Sequence, residues 1–316
     1  MKKRAVLVMA LVVPLATVQA ASADVFGTGG NQFTIDFVTI LGDTNPASGY
    51  GIINNDYRMG VCEITNDQWN KFKAELDVPV TGSPWFAYHR DPYWTDTSVP
   101  TNEVSWDEAA QFVNWLNTST GHQAAYKFTG TQGTGDYTFG VWDTSDAAGG
   151  TNLYRHKNAF YYLPTEDEWV KAAYWDGTAM QTYATKAGEL LYQGDGNSGT
   201  GWNYENATAP YGPWNVGSGS EELNGTFDMM GNLWEWMESP FNHGDYGTGS
   251  YRSLRAGSYN SSIDILAFSA RYPGDPYPDP EVSNSGVGFR VASTVPEPCS
   301  IALLTLGGLM WTKRRR

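Results

Sequence analysis

Apolar positions recur with helical spacing at three places in the chain. After Ser105, the residues Trp106, Ala110, Val113 and Leu116 follow at intervals of four, three and three, one face of a helix that Gly121 ends. After Thr65, the residues Trp69, Phe72 and Leu76 outline a shorter helix. After Thr165, the residues Trp169, Ala172 and Ala173 outline a third, stopped at Asp176-Gly177. Each of the three opens with a capping box: Thr65-Asn-Asp-Gln68, Ser105-Trp-Asp-Glu108 and Thr165-Glu-Asp-Glu168. In this motif a hydroxyl bonds the amide three residues on, and the Gln or Glu there reaches back. Acidic residues in the first turns also suit the helix dipole. The pattern predicts three helices of about 10–15 residues, with short strands between them.

Elsewhere the helical period is lost. Short apolar pieces precede each box: Val61-Cys-Glu-Ile64, Asn102-Glu-Val104 and Phe160-Tyr-Tyr-Leu-Pro164. Residues 129–152 are rich in Gly, Thr and Asp and predict a hairpin around Tyr137-Thr-Phe-Gly-Val-Trp142; residues 194–220 are similar. Neither stretch has the phosphate-loop pattern, so nucleotide binding has no support. There is no internal repeat and no linker, so residues 24–294 read as one domain of mixed α+β class with little regular structure.

The two ends read differently. In residues 1–23, Lys2, Lys3 and Arg4 precede an apolar run from Ala5 to Val18. Small residues follow: Ala21 and Ala23 suit signal-peptidase cleavage before Asp24, and cleavage after Ala20 is a close second. A buried N-terminal helix is the other reading of this segment. The last segment, residues 295–316, runs Val295-Pro-Glu-Pro-Cys299, then about 12 mainly apolar residues, then Lys313-Arg-Arg-Arg316. Its apolar part is short of the ~20 residues a spanning helix needs, and its terminal cations favour the cytoplasmic side. It resembles the PEP-CTERM sorting signal of certain bacteria. That resemblance implies transient membrane anchoring, removal by an exosortase, and a secreted, cell-envelope or extracellular-matrix location. A plain membrane anchor is the other reading.

Composition narrows the chemistry. The chain has 316 residues and a formal charge of −14, with 34 acidic against 20 basic groups. That excludes nucleic acid or an anionic membrane as a partner through bulk charge. The acidic surface fits an exported matrix component. Gly 35 and Pro 16 agree with abundant turns. Two cysteines exclude a disulfide-rich scaffold and a Cys₄ or Cys₃His zinc site. Cys299 lies in the terminal segment, which leaves Cys62 as a lone thiol in an apolar run, expected to be a core residue. His89, His122, His156 and His243 have no metal-ligand spacing, and no nucleophile-elbow sequence supports a triad from Ser258 or Ser261. Asp107 and Glu108 read as a charged helix start.

Seven segments, in order, resemble the formylglycine-generating enzyme or sulfatase-modifying factor family. They are Tyr57-RMGVCEITNDQW-Asn70, Pro100-TNEVSWDEAAQFVNWLN-Thr118, Tyr162-LPTEDEWVKAA-Tyr174, Val216-Gly-Ser, Thr226-FDMMGNLWEW-Met237, Leu254-RAGSYN-Ser261 and Gly286-VGFRVA-Ser293. The resemblance implies a loop-rich α+β fold related to C-type lectins. It also implies copper-dependent oxidation of a partner protein's cysteine, through two copper-holding cysteines just after the Arg255-Ala-Gly-Ser-Tyr259 segment. Those two positions fall on Ser261 and Leu266. Copper(I) prefers soft thiolates, which a hydroxyl and a hydrocarbon do not supply. The sequence therefore predicts a family scaffold without the family chemistry and without copper, used for binding or structure. A divergent oxidase, or another enzyme acting on a protein in the same cleft, is the alternative.

The resemblance further implies a calcium site: the carboxylates of Asp228 and Glu235 with the carbonyls of Gly231 and Leu233, hard oxygen ligands on a tight turn. Otherwise Asp228 caps a turn and Glu235 is exposed. A second calcium site would begin at Asn203 and Tyr204, but the later acid it expects near Thr208 to Pro210 is not evident. Trp234, Ser258 and Tyr259 match the family's active cleft. Together with Ser261 they are the candidate ligand-binding residues, suited to a glycan or a peptide segment. Trp234 or Trp236 is alternatively core, and Arg290 in Gly-Phe-Arg-Val is expected to be a buried structural arginine.

Overall fold

A computed structural model describes residues 22–76, 93–132, 136–197, 199–276 and 286–296. His89, the segment ahead of Ser22 and the terminal segment after Pro296 lie outside the described residues. The early strands are β1 (Ser22–Phe26), β2 (Phe33–Ile40) and β3 (Tyr57–Gly60). Helix α1 (Asn66–Glu75) follows, then α2 (Trp106–Ser119). Next come β4 (Lys127–Thr129), β5 (Thr138–Gly140), β6 (Ala147–Ala148), β7 (Asn152–His156) and β8 (Tyr161–Tyr162). Helix α3 (Glu166–Tyr174) leads to β9 (Trp234–Pro240), β10 (Arg252–Arg255), β11 (Tyr272–Gly274), β12 (Val287–Gly288) and β13 (Ala292–Thr294).

All three helices start where the capping boxes place them. The hydroxyls of Thr65, Ser105 and Thr165 accept from the amides of Gln68, Glu108 and Glu168, and each of those side chains accepts in return from the cap's own amide. The expected hairpin is the β4–β5 pair, with Phe128 opposite Phe139.

Two sheets carry the domain. The first has the order β1-β2-β3-β13-β8, every neighbour antiparallel. It joins the chain's early strands to its last one. In β2, Phe33, Ile35 and Phe37 point into the core while Thr34 and Asp36 face out, the alternation of a half-covered sheet. The buried guanidinium of Arg58 in β3 holds the Asp24 carboxylate (2.6 Å) and the Ser22 hydroxyl (3.1 Å). Ser22 is therefore integral to β1, two residues ahead of the Asp24 start. The second sheet has the order β11-β10-β9-β12, with β12 parallel to β9.

One core cluster gathers Trp69, Phe72, Trp106, Phe112, Leu116 and Phe289 around α1 and α2. The other gathers Met59, Trp169, Met229, Met230, Met237 and Leu266 around α3. Between them these clusters fix the start of β9 and the loop before it, where the candidate residues lie.

Candidate functional site

The turn from Asp228 to Glu235 leads directly into β9. Gly231 has φ +83°, and a Cβ there would lie 2.1 Å from the Asn203 carbonyl oxygen, so only glycine lets the two backbones approach. Asn203 clamps the turn. Its carbonyl accepts from the Asn232 amide (2.9 Å), and its side-chain amide donates to Asn232 Oδ1 (3.1 Å) and to the Gly212 carbonyl (3.0 Å). Asn232 in turn accepts from the Trp214 amide and donates to Glu63. The Arg255–Ser261 segment closes over this turn: Gly231 donates to the Ala256 carbonyl (2.9 Å) and Tyr259 to the Asn232 carbonyl (2.8 Å). Glu205 donates to the Ser261 carbonyl and Asn206 to the Tyr259 carbonyl. Asn203, Asp228, Gly231, Asn232, Tyr259 and Ser261 thus fall into one interlaced group of loops.

At the surface of this group, the Ser258 amide donates to Ser261 Oγ (2.9 Å) and the Ser258 hydroxyl to Asn260 Oδ1 (2.8 Å). Tyr259 meets the edge of Trp94 at 5.8 Å, and Trp234 meets Tyr272 at 5.7 Å. Trp94, Trp234 and Tyr259 are half-buried. The indole N–H of Trp94 is buried and has no hydrogen-bond partner among the described residues. Ser261 is partly exposed. Leu266 is fully buried among the methionines and aromatics of the second core cluster, and its carbonyl accepts from Tyr174 Oη (2.9 Å).

Below the surface lies a buried electrostatic cluster. Arg290 and Glu235 are both 0% exposed. Glu235 Oε1 accepts from Arg290 Nη2 (2.6 Å) and Nε (3.0 Å), and Oε2 from Arg290 Nε (2.7 Å) and Trp169 Nε1 (2.8 Å). The remaining Arg290 donors go to the carbonyls of Gly60, Val61 and Phe227. The expectation of a buried structural arginine holds; the picture of Glu235 as an exposed residue does not. Trp236 is core and donates to the Val104 carbonyl (2.8 Å).

Three more buried carboxylates surround this pair: Glu63, Glu222 and Asp228. Glu63 accepts from Asn232 Nδ2 (2.7 Å) and the Leu233 amide (3.2 Å). Asp228 accepts from the Gly217 amide (2.7 Å), and Glu222 from the Met229 amide (2.9 Å). Loss of solvent pushes Glu222 up to about 8 and Asp228 up to about 6, and holds Glu63 well above the usual carboxylate range. Desolvation, and then the nearby Asp228 charge, also push the Cys62 thiol far above its usual range, so Cys62 is no thiolate nucleophile.

Whether this donor set suits calcium depends on the residue. Glu235 has its acceptor directions filled by Arg290 and Trp169, so it acts as an anchor for the arginine. Asp228 is different. It belongs to a set of four buried carboxylates facing one guanidinium, and Glu222 Oε1 has no partner among the described residues. Asp228, raised less than Glu222 or Glu63, offers hard carboxylate oxygens that fit a hard cation. Among the described residues, no three His, Cys, Asp or Glu side chains converge with metal-holding geometry, so any such site would be completed by carbonyls. Asn203 and Tyr204, the expected start of a second calcium site, are buried; Asn203 clamps the Asn232 turn, and the Tyr204 carbonyl accepts from Gln193 Nε2 (2.9 Å).

Residues 12–295 match the sulfatase-modifying factor enzyme 1-like domain. The chain belongs to that family. Among curated proteins, it is similar to the chaperone protein LppX of Paenibacillus barcinonensis, 25% identical over 296 residues, with 85% of this chain and 92% of that protein covered. Among solved structures, Treponema denticola variable protein 1 has a TM-score of 0.60 at 20% identity, covering 86% of this chain and 99% of its own. The crystal structure of CarF has 0.57 at 21% identity, covering 83% and 99%. PvdO from Pseudomonas aeruginosa has 0.52 at 14% identity, covering 86% and 98%. These likenesses establish a sulfatase-modifying-factor fold, as the seven motifs implied.

Sequence reasoning missed Glu63 and Glu222, as well as a second buried network at the other end of β9, where Glu238 accepts from Tyr126 Oη (3.2 Å) and pairs with Arg155 (3.3 Å). A carboxylate inside the apolar run Val61-Cys-Glu-Ile64 was the available signal for Glu63. Glu222, in a loop of mixed composition, carried none.

Proposed function

We propose that this is an exported cell-envelope or matrix protein that uses a sulfatase-modifying-factor domain to bind a ligand and not to oxidise a cysteine. One observation carries the reading: the positions that match the family's copper cysteines hold Ser261, a hydroxyl, and Leu266, a side chain sealed in the core. A soft monovalent ion has no thiolate pair there. The ligand surface of this reading is the patch of half-buried Trp234, Tyr259 and Ser261, with Ser258 beneath it and Trp94 packed against Tyr259. Aromatic faces next to hydroxyls suit a glycan or a peptide segment. The likeness to LppX, a chaperone protein, favours the peptide. In this reading a signal peptidase and an exosortase process the two ends, and the terminal segment anchors the protein to the membrane in transit.

Calcium is part of the proposal. Bound at Asp228 with carbonyls of the same turn, those of Gly231 and Leu233, it supplies the positive charge that the carboxylate cluster lacks. Adding calcium to chelated protein at pH 7.5 should raise the melting temperature. It should do so far less at pH 5, where protons neutralise the same groups, and Asp228→Asn should reduce the effect. An equal melting temperature with calcium and with chelator at pH 7.5 would remove the ion from the account. This surface is tested by Trp234→Ala and Tyr259→Ala, which should abolish capture of peptides on arrays while the fold persists.

A further inference from the structure

A cavity of about 520 Å³ opens at the start of α3, and none of Trp234, Ser258, Tyr259 and Ser261 lines it. Its walls come from the loop before β3, from β7 and from the loop that follows β9. We propose that it binds a neutral, hydroxyl-rich ligand: an oligosaccharide of a few uncharged pyranose rings.

Charge decides the class. Asp56, Glu166, Asp167 and Glu168 face Arg155, Lys157 and Arg271 along the walls, four carboxylates against three cations. Most of these charges already have partners in the fold. Glu166 pairs with Arg255 (2.7 Å) and Arg271 (2.8 Å), and Glu168 pairs with Arg155 (3.3 Å). In the first turn of α3 the Glu168 amide donates to Thr165 Oγ1 (3.2 Å) and the Glu166 amide to Ser239 Oγ (2.9 Å), and three acidic residues occupy that turn, so the helix start does not favour an anion. A cation finds Glu166 and Glu168 already paired and meets only Asp56 and Asp167, each of which gives one oxygen to a backbone amide, of Gly42 (2.8 Å) and Gly51 (2.9 Å). An apolar ligand would strand the polar walls.

What remains on offer is hydrogen bonding beside aromatic surface. Asp167 is partly exposed and uses one oxygen to accept from the Gly51 amide (2.9 Å), leaving its second oxygen for a pair of hydroxyls. His243 is exposed on the wall, and Tyr50 and Tyr246 are half-exposed. A pyranose presents hydroxyls at its rim and C–H groups on its face, which suits a carboxylate next to tyrosine rings. The volume falls in the range of specific small-ligand pockets, about 300–1,000 Å³.

The test is calorimetric titration of the whole protein with neutral oligosaccharides of glucose, galactose, mannose and N-acetylglucosamine, alongside uronate oligosaccharides. At least one neutral sugar should bind, and uronates should bind at least tenfold more weakly. Asp167→Asn keeps the Gly51 contact and should weaken binding roughly tenfold, the loss expected for one charge-assisted hydrogen bond. Tyr246→Leu should weaken it as well, and Trp234→Ala should leave it unchanged. No binding by any neutral sugar overturns the proposal, as does equal binding of uronates or an unaffected Asp167→Asn. Loss of binding in Trp234→Ala alone would move the sugar to the other cleft and leave that reading standing.

Discussion

At the residue scale, the pair Arg290–Glu235 ties the candidate site to the fold. Each partner has its hydrogen-bonding capacity filled, and both are removed from solvent. Removing one member of such a pair leaves the other charge buried and uncompensated, which costs about 3–5 kcal/mol. Arg290→Met should therefore unfold the domain at markedly lower denaturant, read by chemical denaturation; a midpoint within error of the parent would show the pair to be dispensable. Gly231→Ala meets two obstacles together, the positive φ and the Asn203 carbonyl 2.1 Å from its Cβ. It should destabilise by more than about 1 kcal/mol. Arg290 was legible in Gly-Phe-Arg-Val because a lone cation between apolar residues has few other places to go. Its partner was not, because a sequence that places Glu235 in a motif does not say which charge faces it.

At the element scale, the helices were legible because capping is local chemistry. Hydroxyl, amide and carboxylate lie within four residues of one another, so the sequence contains the whole interaction. Ser105→Ala removes the acceptor for the Glu108 amide and should cost about 1 kcal/mol, measured by thermal or chemical unfolding. An unchanged stability would mean that buried packing of Trp106 sets the helix start without the cap. The strands were less legible. Many run two to five residues, too short for alternation to declare itself, and their partners lie far away in sequence, as when β13 joins β3. Two elements also carry titrating groups. Burial pushes Asp107 at the start of α2, and Glu238 in β9, each up to about 7. The folded protein thus holds protons that the unfolded chain, with ordinary carboxylates near 4, releases earlier. Their contribution is full below pH 4 and is lost as pH rises through about 7. His156, lowered by burial, acts in the opposite direction over a narrower window near its ordinary value. In chelator, stability should fall by a few kcal/mol between pH 5 and pH 8.5, and Asp107→Asn should flatten that slope. A rise over the same interval would contradict the assignment.

At the scale of the whole molecule, the fold brings segments from residue 57 to residue 293 into one loop cluster, so the site is a property of topology. The sequence could name Asn203, Asp228, Glu235, Ser258 and Tyr259 through their family resemblance, but not Glu63 or Glu222. It could not show that Asn203 braces Asn232, or that four carboxylates share one arginine, because those facts depend on loops meeting across more than 25 residues of chain. The same topology seals Leu266 in the core and leaves Ser261 at the surface, which is why the account assigns binding and not oxidation to this scaffold. The most direct measurement is to incubate the purified protein with copper(I), oxygen and a sulfatase-derived cysteine peptide and to follow the peptide by mass spectrometry. The account predicts no stoichiometric copper retained and no conversion of the thiol to the aldehyde. Copper bound one to one with turnover of the peptide would contradict it.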